Sequence, residues 1–480
     1  MDSQCSLAAV PTPQECLFEP DSSSTSASEE TRKPHVRSKR VFRQGVVEPE
    51  LYPSRVSEMV PPANVAHLIV LVVSLLDLEA LKMSYEDHGG VAYQPEQMLG
   101  VLLLAYALGI TSAQEMESRC QYDVRFMLVA DGLRPSVRTI RRFRLRLLTV
   151  MDEFFKQVLG ICKQKKILKL ERVSVDGTKI KSAASQLERW LDQKDRDLIE
   201  DAGLQVPECS DPDARLVRSA HGFVVGYNAQ AAVDVESGLT VAYEVSQSSS
   251  DRALLPKMIQ RVEELAGQKP VEVVADGGYD SYETYQAAED SKVEVIVAPQ
   301  DRTALFWTAL SETQVVCPMG HSPTHERNTT SNGKPCIEYS VPECPTCVFA
   351  AYCTKSGNGR VMKAPPGANP VLRVINAHYA RSPDGKQALV ERMASVEPLF
   401  GRIKGNKRMV RFRLRGLGKV RLEFGLMTMV ENIMILGRTL LSRCAHFYRL
   451  LLQCLACTFA IVWSTTRWQR VRQYSCITER

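Results

Sequence analysis

The chain has 480 residues, 44% of them apolar and 24% charged, ordinary for a soluble globular protein and too many for one core, so roughly two to four domains are expected. A net charge of +5 excludes naming a partner from total charge. The chain holds fourteen cysteines and opens on a polar Met1–Glu50 without an apolar leader, so a reduced, cytoplasmic chain is expected and a disulfide framework is not.

Residues 1 to about 45 are rich in Ser, Thr, Pro and charge and cannot bury enough apolar surface to order themselves. Their basic cluster (Arg32, Lys33, Arg37, Lys39, Arg40, Arg43) reads as a solvated tail or a phosphate contact. Apolar spacing of three and four then predicts helices over Val65–Leu81, Pro95–Leu108, Ala113–Cys120 and Arg138–Ile161. Ser112 with Glu115 fits a capping box, so 97–120 reads as helix, turn, helix. Val137–Arg146 carries five arginines in ten residues, with Arg138, Arg141 and Arg142 as candidate DNA contacts. The block is either an ordinary bundle with a wet face or a helix-turn-helix-like DNA-binding unit.

From Arg172 the period changes to strands and crossover helices. Strands are predicted at Val173–Val175, Phe223–Val235, Leu239–Val245, Val271–Ala275 and Val293–Val297, with helices at Arg252–Ala266 and Ser281–Asp290. The order gives a mixed sheet with helical cover. A charged, helix-prone stretch at 186–203 interrupts it. Residues 300 to about 385 lose both periods and read as a loop-built insertion. Helical pattern resumes over 385–403, 417–441 and 447–463. The apolar runs Ala66–Leu76 and Leu450–Trp463 fall short of the ~20 residues that span a bilayer, so no membrane segment is expected.

Two strands end on a carboxylate followed by glycine: Val173-Ser-Val-Asp-Gly177 and Val271-Glu-Val-Val-Ala-Asp-Gly277. Glycine is expected to break each strand, offering Asp176 and Asp276 at strand ends, where open α/β sheets build sites. Paired carboxylates repel unless something positive lies between them, and a divalent metal commonly does so. Glu397, beside the apolar Met393, Val396, Leu399 and Phe400, is the candidate third ligand, with Glu391 as competitor. Pro398 predicts a kink or break there. Arg402–Arg421 holds nine Lys or Arg and no acid, which favours phosphate contact. Cys317, Cys344, Cys347 and Cys353, with Cys336 or His321 as substitutes, read as a structural zinc set or as free buried thiols. Asp234 and Asp251 are possible auxiliary carboxylates.

Several ordered stretches carry a resemblance. They are Tyr93-Gln-Pro95, Thr139-Ile-Arg-Arg-Phe-Arg144, Val175-Asp-Gly-Thr-Lys179, Gly226-Tyr-Asn-Ala-Gln230, Val274-Ala-Asp-Gly-Gly-Tyr279 and Val396-Glu-Pro-Leu-Phe-Gly-Arg-Ile-Lys404. Through them the chain resembles bacterial insertion-sequence transposases of the DDE superfamily over roughly residues 45 to 440. That resemblance implies an α/β catalytic core, ribonuclease H-like, with a mixed sheet and flanking helices. It also implies an all-α N-terminal domain and a small cysteine-containing insertion. The expected division is a tail at 1–45, a helical domain at 46–165, a core at 170–300 and 385–440, an insertion at 301–384, and a C-terminal helix and basic tail at 441–480. By the resemblance Asp176, Asp276 and Glu397 are the catalytic triad holding two Mg²⁺ ions. Arg402, Lys404 and Lys407, then Arg411, Arg413 and Arg415, are the DNA contacts. The implied partners are double-stranded DNA at the element's terminal repeats and target, and further copies of the chain on that DNA, near the nucleoid. A nuclease without strand transfer and a silent DNA-binding derivative are the alternatives.

Overall fold

In the computed structural model the described residues are 42–43, 55–85, 91–184, 210–219, 222–300, 304–331, 333–356 and 359–442. The N-terminal basic cluster apart from Arg43, the stretch at 186–203 and everything from 443 onward lie outside them. Six longer helices open the described chain: α1 (Val65–Ser74), α2 (Pro95–Ala107), α3 (Ala113–Tyr122), α4 (Val124–Ala130), α5 (Val137–Arg146) and α6 (Met151–Gln164). Side-chain caps fix four of these starts: the Asn64, Ser112, Asp123 and Ser136 side chains accept from amides of the first turns, satisfying donors no helix can satisfy internally. Glu115 pairs forward with Arg119 at 3.2 Å. The helix expected over 138–161 is two helices, divided by a 3₁₀ turn at Leu147–Thr149 where the β-branched Thr149 and Val150 weaken helical preference.

The sheet is mixed. β1 (Arg172–Lys181) lies at its centre, antiparallel to β3 (Gly222–Asp234) on one side and parallel to β5 (Glu272–Ala275) on the other. β6 (Glu294–Val297) extends the parallel side. The far edge of β3 is shared by β2 (Arg215–Ser219) and β4 (Thr240–Ser246), both antiparallel to it. β2 was not foreseen, since Arg215 and Arg218 give it no apolar alternation. Helix α7 (Leu255–Ala266) connects β4 to β5, and α8 (Tyr282–Ser291) connects β5 to β6. Glycine does not break the first strand: β1 runs on through Gly177 to Lys181, pairing with Gln230 to Gly226. Gly177 answers a close approach instead, because a Cβ there would stand 2.1 Å from Gln230 Nε2.

Residues 304–364 are less loop-built than their composition implies. β7 (His325–Ser331), β8 (Lys334–Ser340) and β9 (Val361–Ala364) form a three-stranded antiparallel sheet. β7 is polar and exposed along its length, so it leaves no two-residue apolar period to read. A small separate core of Trp307, Val315, Cys317, Val341, Met362, Val371 and Val374 lies beneath. Helix α9 (Pro370–Tyr379) then leads to α10 (Pro383–Gly401), which takes Pro398 inside it and continues as a π-helical turn at Arg402–Asn406. Helix α11 (Leu417–Ser442) is long and apolar enough to cross a membrane, but 67% of its most apolar window is buried in protein. Residues of α11, of the N-terminal helices and of β1, β3 and β4 belong to one continuous apolar core.

Candidate functional site

Strand geometry places the two aspartates. The parallel rungs of β1 and β5 run Arg172–Glu272 to Val175–Ala275, so Asp176 and Asp276 are the next residues on adjacent strands. Side chains alternate across a sheet. Val173 and Val175 enter the main core with Val273, whereas Val274 packs with Ile296, Ala380 and Ala388 beneath α10. Even-numbered residues of both strands therefore face α10. Along β1 each one meets the helix or its π-helical end. Arg172 Nη1 donates to Glu391 Oε2 at 2.5 Å, Ser395 Oγ to Ser174 Oγ at 2.9 Å, Arg392 Nη1 to Asp176 Oδ2 at 3.1 Å, and the Lys404 amine to Thr178 Oγ1.

Each aspartate has one oxygen held by backbone: Gly177 N donates to Asp176 Oδ1 at 2.7 Å, and Gly278 N to Asp276 Oδ1 at 2.8 Å. Burial pushes the Asp176 carboxyl above its usual range, the charge of Asp276 adding to this while Arg392 and the Gly177 amide oppose it. Asp251 lies against the same locus. Lys179 Nζ donates to it at 3.0 Å, Asn228 Nδ2 at 2.6 Å and Gln230 Nε2 at 2.9 Å. The buried Tyr279 hydroxyl donates to Gln230 Oε1. Its pKa is driven well up by burial and then by the charges of Asp251, Asp176 and Asp276.

Glu397 is carried on α10 between Ser395 and Lys404, whose partners Ser174 and Thr178 flank Asp176 on β1. The helix thus passes Asp176 at the height of Glu397, yet the Glu397 side chain is exposed and Arg392 holds Asp176. Among the described residues, no three Asp, Glu, His or Cys side chains gather closely enough to hold a metal. The donor chemistry still fits Mg²⁺ in kind, since two adjacent carboxylates of hard oxygen carry more negative charge than one guanidinium offsets.

The cysteines do not fit zinc as arranged. Cys317 is buried in the small core and Cys344 packs on its edge, Cys347 follows a 3₁₀ turn, and Cys353 ends a four-residue helix. No three of these cysteines gather. The basic run divides in two. Arg402 Nε donates to the buried Glu431 Oε2 at 2.5 Å and Lys407 pairs with the same carboxylate, while Lys404 turns onto β1, its amine also reaching Lys179 O at 2.9 Å. Arg411, Arg413 and Arg415 alternate outward on an extended segment in which Phe412 is buried. That segment joins the end of β1, with Phe412 N donating to Lys181 O at 2.9 Å. On α5, Arg138, Arg141 and Arg142 are exposed, while Arg144 turns inward to donate to Thr111 O at 3.1 Å. Arg392 escaped sequence reading. The signal available was a charge four residues before Val396 and seven before Leu399, on the buried stripe.

Comparison with known proteins gives two family matches: a transposase DDE domain over residues 316–436 and a transposase domain (DUF772) over 55–146. The first range includes Glu397 and the basic run but neither Asp176 nor Asp276. No curated protein matches the chain. Among solved structures, a piggyBac transposase synaptic complex with hairpin DNA aligns at 10% identity over 79% of this chain and 74% of that one, with a TM-score of 0.33. A likeness at that level transfers nothing to this chain.

Proposed function

Because the chain belongs among the DDE transposases, we propose that it cuts and rejoins DNA at the ends of its own mobile element, with Asp176, Asp276 and Glu397 as the metal-holding carboxylates of a ribonuclease H-like core. The observation that carries this reading is the register of β1 and β5, whose last rung, Val175–Ala275, leaves Asp176 and Asp276 as the next residue on each strand, on the face that the helix bearing Glu397 covers. Three further strands support it: β3 antiparallel to β1, β4 antiparallel to β3, and β6 parallel to β5 on the other side.

Divalent ions held by Asp176, Asp276 and Glu397 would lower the charge cost of the attacking and leaving oxygens in an in-line displacement. The chain's own groups bind and orient. The Gly177 and Gly278 amides fix one oxygen of each aspartate, leaving the others to face the helix. Lys179, Asn228 and Gln230 fix Asp251 beside the pair. Arg411, Arg413 and Arg415 follow the sugar-phosphate backbone without reading sequence, and exposed Arg138, Arg141 and Arg142 add contacts on the helical side. Further copies of the chain assemble on paired DNA ends.

The test is a duplex carrying the sequences that flank the coding region, incubated with the protein and Mg²⁺. Cleavage and joining to a second duplex are expected, and Asp276→Asn should bind the duplex while losing both. Cleavage without joining would make the protein a nuclease. A wild type as inactive as the substituted protein would remove the enzymatic reading altogether.

A further inference from the structure

We propose that Arg392 is a displaceable counter-ion for the Asp176–Asp276 pair, occupying the carboxylate oxygen that a divalent cation takes and yielding it when that cation arrives. The inference rests on the metal-holding reading of these two aspartates. Its first support is geometric. Arg392 is 9% exposed and reaches Asp176 Oδ2 through Nη1 at 3.1 Å, while its buried Nε has no partner. An ion pair built to last engages its donors fully, because a buried unpaired donor is costly. Arg261 and Arg421 leave Nε without a hydrogen bond too, yet each spreads over at least two carboxylates, and Arg373 shows the fully closed form. Arg373 gives Nε to Asp280 Oδ1 at 3.0 Å and Nη2 to Oδ2 at 2.8 Å, a two-pronged pair closed on both sides.

Charge points the same way. Asp251 has its own cation in Lys179, and the Asp276 oxygen that is hydrogen-bonded takes a backbone amide. Arg392 is thus the side chain that offsets the adjacent pair, and a cation bound between them would do the same work. The helix does not depend on it. Arg172–Glu391 and Ser395–Ser174 tie α10 to β1 on the same face, and Val396 and Leu399 are fully buried. Release of the guanidinium therefore leaves α10 docked, and frees a planar donor group beside the locus where a scissile phosphate would lie.

The experiment measures Mn²⁺ binding to the full chain without DNA, by electron paramagnetic resonance of the free ion. Arg392→Gln and Arg392→Met should each bind Mn²⁺ about tenfold more tightly than wild type. Adding Asp176→Asn to either should abolish the gain. Equal or weaker binding in both variants, with Asp176 still required, would overturn the counter-ion role and leave the metal-site reading intact. Binding that ignores Asp176→Asn would instead overturn the metal-site reading. Thermal unfolding without metal completes the set: if neither variant folds, Arg392 is a structural partner and the inference fails.

Discussion

Asp176 and Asp276 stand at matching places, one residue past the Val175–Ala275 rung on neighbouring parallel strands, and both face helix α10. That relation follows from two rules of strand geometry, register and alternation. A one-residue slip of either strand would turn its carboxylate into the apolar core.

If the chain acts on DNA as proposed, the outward arginines of the divided basic run are its expected phosphate contacts. Replacing Arg411, Arg413 or Arg415 with Gln should reduce the salt dependence of duplex binding by about 0.9 in the log–log slope for each phosphate no longer neutralised. Replacing Arg402 should leave that slope unchanged and lower stability, since its partner is the buried Glu431. Binding isotherms across a salt series, beside urea unfolding, check both halves.

Asp280 is a second buried carboxylate near the site, but a structural one. It accepts from Arg373, from Gln300 N at 2.9 Å and from the Tyr285 hydroxyl at 2.9 Å. Asp280→Ala removes the two-pronged carboxylate partner of the half-buried Arg373 guanidinium, which should cost about 3 kcal/mol. Denaturant titration at neutral pH measures it. Arg373→Met together with Asp280→Leu should recover much of the loss.

Glu423 supplies a pH signature. Burial pushes its carboxyl up to about 7, against the pull of the Leu414 amide, of Arg144 and of the Arg413 amide. The folded chain therefore keeps a proton that the unfolded chain releases near 4.5. Stability from this group is present at low pH and lost as pH rises through about 7. Glu423→Gln should flatten that fall and gain on the order of 2–3 kcal/mol above it, read as denaturation midpoints across the pH range. A Gln side-chain carbonyl still accepts from the Arg413 and Leu414 amides.

Much of the sheet was legible in sequence because Val173, Val175, Val273 and Val274 are β-branched residues buried on both faces, a pattern that survives without neighbours. The helical hairpin of α2 and α3 was legible for a similar reason, with Ser112 marking the start of the second helix. The continuation of β1 past Gly177 was not. It depends on Gln230 crossing from β3, a contact between residues 53 positions apart. β7 is polar and exposed, so no burial pattern records its pairing with β8. At the site, carboxylate type and glycine neighbours picked out Asp176 and Asp276. Arg392 resembled any helical arginine until β1 set Asp176 beneath it. The inward turn of Arg402 and Lys407 was hidden likewise, since Glu431 lies in another helix.

The proposed chemistry requires Asp176, Asp276 and Glu397 to hold divalent ions together, whereas Glu397 is exposed and Arg392 occupies Asp176 in the free chain. Iron-mediated backbone cleavage tests that requirement most directly. Fe²⁺ replaces Mg²⁺ on the DNA-bound protein, and ascorbate with peroxide cuts the chain beside the bound ion. Cuts are expected near residues 176, 276 and 397, all suppressed by Mg²⁺ and by Asp176→Asn. Cuts near 176 and 276 with none near 397, or cuts that persist in Asp176→Asn, would contradict the shared metal site.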